Sequence, residues 1–204
     1  QTKRVLRTAL LVLLLSVVEM AKGYASYDFE AVCPSGQTLY YNIIDAENHY
    51  VALTDPSNSM YDPWEGFTRP IGDIILPESV QYDGATYTVT ILGDLAFDGC
   101  NGLTGSLTIP NSVTIIGTLA FNDCIGFTGS LTIPNSVTII NTAAFHNCSG
   151  FTGSLIIPNS VTTIGGWAFY GCSGFMGELI ISNALTIINH ATFSYCSGFT
   201  GNLT

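Results

Sequence analysis

The 204-residue chain is 47% hydrophobic and only 10% charged, long enough to bury a sizeable core and too apolar to be a disordered segment. Its formal net charge is −10, and four of its five basic residues (Lys3, Arg4, Arg7 and Lys22) fall in the first 22 positions, which leaves Arg69 as the single base beyond them. Nucleic acids and anionic membrane surfaces are excluded as partners, because both need clustered Lys and Arg to displace counterions.

Residues 1–25 have the order of an export signal: a basic start, an apolar stretch from Ala9 to Val18 broken by Ser16, and a small-x-small site at Gly23-Tyr24-Ala25. Cleavage is expected after Ala25. Glu19 and Lys22 end the apolar run well short of the ~20 residues that a membrane-spanning helix needs. Residues 26–75 alternate Tyr and aliphatic residues with turn formers, and are expected to form a few antiparallel strands that cover the open edge of whatever follows. Asp55-Pro56-Ser57-Asn58-Ser59 reads as an ordinary loop, since Met60 stands where a calcium loop needs its sharp-turn Gly. Val80-Gln81-Tyr82 and Tyr87-Thr88-Val89 flank Asp83-Gly84, a hairpin signal.

From residue 76 to 204 the chain is repetitive. Cys100, Cys124, Cys148, Cys172 and Cys196 recur every 24 residues, and the whole unit recurs with them: NGLTGSLTIPNSVTIIGTLAFNDC over 101–124 and IGFTGSLTIPNSVTIINTAAFHNC over 125–148, then two divergent copies and the fragment SGFTGNLT. A period in this range means stacked supersecondary units. Within one unit Leu131 and Ile133 alternate with Ser130 and Thr132 as in a half-buried strand, Pro134 ends it, and a second short extended piece covers Val137 to Ile140. Ala144, Phe145 and Cys148 fall at helical spacing, enough to predict one tight turn over Thr142–Cys148 but not a full helix. The inward set is Leu131, Ile133, Val137, Ile140, Ala144, Phe145, Cys148 and Phe151, with equivalents in every coil. Phe97, Phe121, Phe145, Phe169 and Phe193 should form one buried row beside the cysteine row. No coil can bury its apolar set alone, so stability must be collective.

The string Leu-Thr-Ile-Pro-Asn-Ser-Val-Thr-x-Ile-Gly-x-x-Ala-Phe-x-x-Cys resembles the BspA-like class of leucine-rich repeats of bacterial surface proteins, from about Val89 onward. The segment containing CPSGQTLYYNIID and GDIILPESV is similar to the one that precedes such repeats. The resemblance implies a mostly β repeat protein: a leucine-rich-repeat solenoid of 24-residue coils over 76–204, cut short at its C-terminal end, with an N-terminal β cap over 26–75. Departures are an extra Gly per coil (Gly105, Gly129, Gly153, Gly177), Ser182 in place of Pro and Thr192 in place of Ala, so the last full coil should be less regular.

Chemistry is sparse. A metal site needs converging ligands, whereas one thiol per coil makes a row. Six cysteines, counting Cys33, in an exported chain leave disulfides open, but stacked in-register side chains rarely meet the torsion required, which favours buried free thiols. His49, His146 and His190 occupy non-equivalent positions and read as surface polar residues. No nucleophile elbow, carboxylate pair or phosphate loop is present in the repeats, so no cofactor and no catalysis are expected.

Binding is the remaining role, and the resemblance implies an extracellular protein partner, with a glycan as the alternative and a spacer for a further C-terminal domain as a third reading. The outward strand positions form a hydroxyl ladder that turns apolar and acidic: Thr108, Thr132, Ile156, Glu178 and Ile180 are the candidates there. In the turn after the second strand, Trp167 and Tyr170 are candidate aromatic anchors, the residue types that dominate interface hot spots. N-terminal sequencing of the exported product should find Ser26 first; a product that retains residues 3–18 would contradict the export signal.

Overall fold

The computed structural model describes residues 27–57, 59 and 61–201, so the signal expected over residues 1–25 lies outside the described residues. Among them there is no helix; short strands alternate with turns. Strands β1 (Phe29–Val32), β2 (Thr38–Asp45) and β3 (Tyr50–Thr54) run antiparallel, as the Tyr and aliphatic alternation predicted. Strand β4 (Gly72–Asp73) lies parallel to β7 (Leu103–Thr104), while β5 (Ser79–Tyr82) and β6 (Ala85–Leu92) form the expected hairpin. At its tip Asp83 and Gly84 have φ of 48° and 77°, the positive pair whose twist matches that of the flanking strands.

The hairpin is an insertion in the first coil. Glu78 reaches Asn111 across 33 positions, nine more than the 24 that separate stacked partners such as Thr90 and Thr114. The excess is the β5–β6 excursion. Beyond it, β6 pairs in parallel with β9 (Ile115–Ile116), then β11 (Ile139–Ile140) and β13 (Thr163–Ile164), so leader and repeats share one eight-stranded sheet. The fold is a solenoid built on this sheet.

The sheet runs through the second extended piece of each coil, not the first, although the alternation around Leu131 is the stronger sequence signal. The first-piece strands β8 (Leu107–Thr108), β10 (Leu131–Thr132), β12 (Leu155–Ile156) and β14 (Leu179–Ile180) pair only two by two, β8 with β10 and β12 with β14. Pro110, Pro134 and Pro158 carry no N–H and cannot donate to a neighbouring strand, yet β14, with Ser182 at that position, is equally short. The second piece has donors on both sides and continues outside its two-residue strands, with Thr138 N–H to Thr114 O at 2.9 Å and Asn141 N–H to Ile116 O at 2.9 Å.

A tight turn without a helix forms over Thr142–Cys148, as expected. Its N–H groups alternate in direction. Those of Ala144, His146 and Cys148 turn back within the coil, to Asn141, Ala143 and Phe145 at 3.4, 3.1 and 3.2 Å. Those of Ala143, Phe145 and Asn147 leave for the next coil, to the carbonyls of Gly166, Ala168 and Tyr170 at 2.9, 2.8 and 2.7 Å. A helix keeps all its donors internal and could not bond sideways. Reversing every other peptide forces left-handed backbone: Ala143 and Asn147 have φ of 55° and 57°, and the equivalents of Ala143 (Leu95, Leu119, Trp167, Ala191) lie at 59°, 56°, 57° and 54°. Each such residue costs about 1–2 kcal/mol of backbone strain, which is tolerated because the turn gains bonds to its neighbour. The inward side chains keep the same spacing, which is why the sequence pattern mimicked a helix.

Two aromatic rows fill the interior. Phe97, Phe121, Phe145, Phe169 and Phe193 stack with centroids 4.9, 5.3, 5.2 and 5.6 Å apart. Phe127, Phe151, Phe175 and Phe199 stack at 4.8, 5.8 and 5.7 Å. The first four rings of the Phe97 row are fully buried, whereas Phe193 and Cys196 are half-buried. Glycine is required where the second row turns outward: a Cβ on Gly150 would collide with the carbonyl oxygens of Ile125 and Phe127. The last coil is less regular, as expected. Ser182 is buried and donates to Val161 O at 2.7 Å, and Ile187 and Ile188, equivalent to strand residues in earlier coils, form no strand and are exposed.

The left-handed positions separate neighbouring alanines. Ala144→Gly loses a buried methyl and frees the unfolded backbone, a cost of about 1.5 kcal/mol. Ala143→Gly relieves a positive φ that offsets the same losses, and should be close to neutral. Urea denaturation of the two variants should therefore differ by about 1–2 kcal/mol; equal destabilisation would mean that Ala143 is not held left-handed.

Candidate functional site

The strand-ladder candidates sit side by side as their spacing implies. Thr108 lies in register with Thr132, and Ile156 with Ile180. Thr108, Thr132 and Ile156 are exposed, Ile156 to 53%, and Ile180 is half-buried. Glu178 is exposed and its N–H is held by Ser154 Oγ at 3.0 Å. No pairing joins β10 to β12, so Thr132 and Ile156 face each other across a break in the ladder.

Trp167 and Tyr170 lie elsewhere, in the left-handed turn after the second strand. Trp167 is exposed, with His190 edge-on to it at 5.1 Å. Tyr170 is half-buried between two neighbours: it stacks on the His146 ring at 5.0 Å and meets Tyr195 tilted at 4.9 Å. His146 Nδ1 in turn meets Asn122 Oδ1 at 2.8 Å, and Asn122 Nδ2 donates to Asp98 Oδ1 at 2.7 Å. Asp98, Asn122, His146 and Tyr170 are thus one column, each touching the next, that changes along the solenoid from acid to amide to aromatic. One of the histidines that looked scattered, His146, is a member of this column. The missed signal is positional: residues 24 apart are neighbours in space, so differences between copies at one position describe a surface gradient.

The cysteine row is structural in its geometry. Cys124, Cys148, Cys172 and Cys196 donate Sγ–H to the carbonyls of Phe97, Phe121, Phe145 and Phe169 at 3.1, 3.0, 3.0 and 2.9 Å. Each of those carbonyls also accepts the N–H of the cysteine in its own coil. All six cysteines are free. Burial pushes the Cys124, Cys148 and Cys172 thiols well above their ordinary range and Cys196 to about 11, so none is poised as a nucleophile.

With this geometry in place, the family model of the BspA type leucine rich repeat region matches residues 79–200 in six copies. The chain belongs to the BspA-type leucine-rich-repeat family. A leucine-rich cell surface protein from Faecalibacterium prausnitzii is similar to it at 25% identity and a TM-score of 0.64, covering 87% of this chain, which spans 43% of that one. The T. pallidum leucine-rich-repeat protein superposes with a TM-score of 0.58 at 20% identity over 80% of this chain and 78% of its own. A leucine-rich-repeat protein from Bacteroides ovatus gives 0.50 at 23% identity, covering 86% of this chain and 52% of its own. No curated protein matches the sequence. Among the described residues no helix is long and apolar enough to cross a membrane.

Acids gather where the leader meets the first repeats. Asp62 pairs with Arg69 at 2.6 Å, the one Lys or Arg among the described residues. Burial raises Asp55 to about 6 against the hydrogen bond from Thr54, with the charges of Asp94 and Asp98 adding to the effect. Burial likewise raises Asp98, with Asp123 and Asp62 adding to it and Asn122 and Arg69 opposing. Two carboxyls with raised pKa mean that the folded chain binds more protons than the unfolded chain between the ordinary value of 3.8 and about 6. Their stabilisation is present below that window and is lost as pH rises through it. Tm should therefore fall as pH is raised from about 4.5 to 7, and Asp55→Asn should flatten the slope; a Tm that climbs over this range in both proteins would contradict the assignment.

Proposed function

We propose that this chain is the ligand-binding part of an exported cell-surface protein, and that it binds an extracellular protein through the exposed strand ladder and the aromatic end of the turn column. The observation that carries this reading is the surface of the last coils. Ile156 and Trp167 are exposed to 53% and 41%, and Met176 and Tyr195 to 60% and 72%. The only charged side chain from residue 124 onward is Glu178. Aromatic and aliphatic side chains with few charges around them form the centre of protein interfaces. Export is supported by the order of basic, apolar and small residues over 1–25, and the surface location by the leucine-rich cell surface protein to which the chain is similar.

A glycan partner is favoured by one feature, the set of exposed rings at Trp167 and Tyr195 beside Tyr170. The two readings separate in one experiment. The purified chain is screened against a panel of extracellular proteins and a glycan array, with Ile156→Asp and Trp167→Ala as variants. Protein binding predicts a saturable protein partner whose affinity falls at least about ten-fold in either variant, a loss of roughly 1.4 kcal/mol or more. Signals confined to glycans, lost in Trp167→Ala and kept in Ile156→Asp, would replace the protein reading with the glycan one.

A further inference from the structure

Stacked coils are normally closed along the first strand by backbone bonds. Leu107 and Ile109 donate to Ser130 and Thr132 at 2.9 and 3.0 Å, and Leu155 and Ile157 donate to Glu178 and Ile180 at 3.0 and 2.9 Å. No backbone hydrogen bond joins residues 74–76 to 106–109, the corresponding seam one coil earlier. The leader is the cause, because it holds this segment from the other side: Ile75 N–H donates to Ser35 Oγ at 2.8 Å, and Gln37 Nε2 donates to the carbonyls of Ile71 and Asp73 at 2.9 and 3.0 Å. Strand β4 pairs with β7 instead of β8. The inward residues on the leader side record the opening, with Ile74 and Leu76 exposed to 5% and 7% where Leu107 and Ile109 show 0% and 1%.

The result is a groove of about 680 Å³ between residues 73–78 and 105–111. Its charged lining is of one sign. Asp73 Oδ1 accepts from Thr104 at 2.7 Å and Glu78 Oε1 accepts from Asn111 N–H at 3.2 Å, which leaves the second oxygen of each carboxylate without a hydrogen bond. Both carboxylates line the groove, and no Lys or Arg does. The carbonyls of Ser106 and Thr108 have no backbone partner across the seam. Such a lining accepts hydrogen bonds and attracts positive charge. A similar break between β10 and β12 has no acid in either strand or its flanks, so the charge distinguishes this seam from that one.

We infer that this groove takes an arginine side chain presented by an extended segment of a partner protein. A guanidinium carries five N–H donors in one plane, can pair with a carboxylate by two parallel bonds, and has further donors left for carbonyl oxygens. Exposed Ile75 lines the leader side of the groove and offers contact to an apolar neighbour of that arginine. The inference rests on the protein-binding reading and names what one end of that surface recognises.

The test uses the purified chain and three capped tripeptides, Val-Arg-Val, Val-Lys-Val and Val-citrulline-Val, followed by calorimetry and amide NMR. The arginine peptide should bind with a Kd of roughly 0.1–1 mM, shift amides within 73–78 and 105–111, and weaken with salt. Lysine should bind less well, and citrulline, which lacks the charge, should not bind. Asp73→Asn with Glu78→Gln should cut the arginine affinity at least ten-fold, while Glu47→Gln, an exposed carboxylate outside the groove, should not. Equal binding of the citrulline peptide, or no binding of the arginine peptide, would overturn the inference without recourse to any variant. If the arginine peptide fails while an extracellular protein still binds in an Ile156-dependent way, the groove assignment falls and the protein-binding reading stands.

Discussion

Every coil of this protein is held by backbone hydrogen bonds to the coil after it, and the sideways direction of those bonds constrains all else. In the turn, the N–H groups of Phe97, Phe121, Phe145 and Phe169 reach the carbonyls of Ala120, Ala144, Ala168 and Thr192 in the following coil. To aim alternate peptides outward the backbone must enter left-handed conformations at residues that are not glycine, Leu119 and Trp167 among them. The interior then arranges itself around these bonds, since coils in register place phenylalanine on phenylalanine and cysteine next to the carbonyl of the preceding coil. A helix in the same place would satisfy its donors internally and leave the coils joined by side chains and two short strands.

The same constraint explains why the cysteine row is inert and useful. A position that faces a carbonyl from the coil before, deep in the interior, needs a small side chain with a weak donor, and a thiol meets both needs. Burial removes the thiolate, the form that reacts. The row is therefore a set of links between coils.

The surface is most distinctive where the regular bonding stops. The ladder of first-piece strands closes in pairs, and opens at the leader and again between Thr132 and Ile156. Regular regions of the surface carry hydroxyls and little charge. The irregular places bear the distinctive groups: two carboxylates at the first seam, an exposed isoleucine at the second, and aromatic rings where the turn column ends. A repeat protein gains its individuality from such departures, because positions that obey the period are committed to stacking.

The 24-residue period of cysteine and phenylalanine was enough to determine a stacked β architecture and its inward rows, while Asp83-Gly84 marked the hairpin and Ser182 and Thr192 the irregular last coil, each through local pattern alone. Which of the two extended pieces would carry the continuous sheet, and the sideways bonds that replace helical ones over Thr142–Cys148, were decided by neighbours in space. The candidate site divided in the same way. Exposure of Thr108, Thr132 and Ile156 was legible from alternation, whereas the His146–Tyr170–Tyr195 contacts and the opening beside Asp73 and Glu78 were not. They exist because residues 24 apart touch, and because Gln37 and Ser35, remote in sequence, hold one strand away from the next.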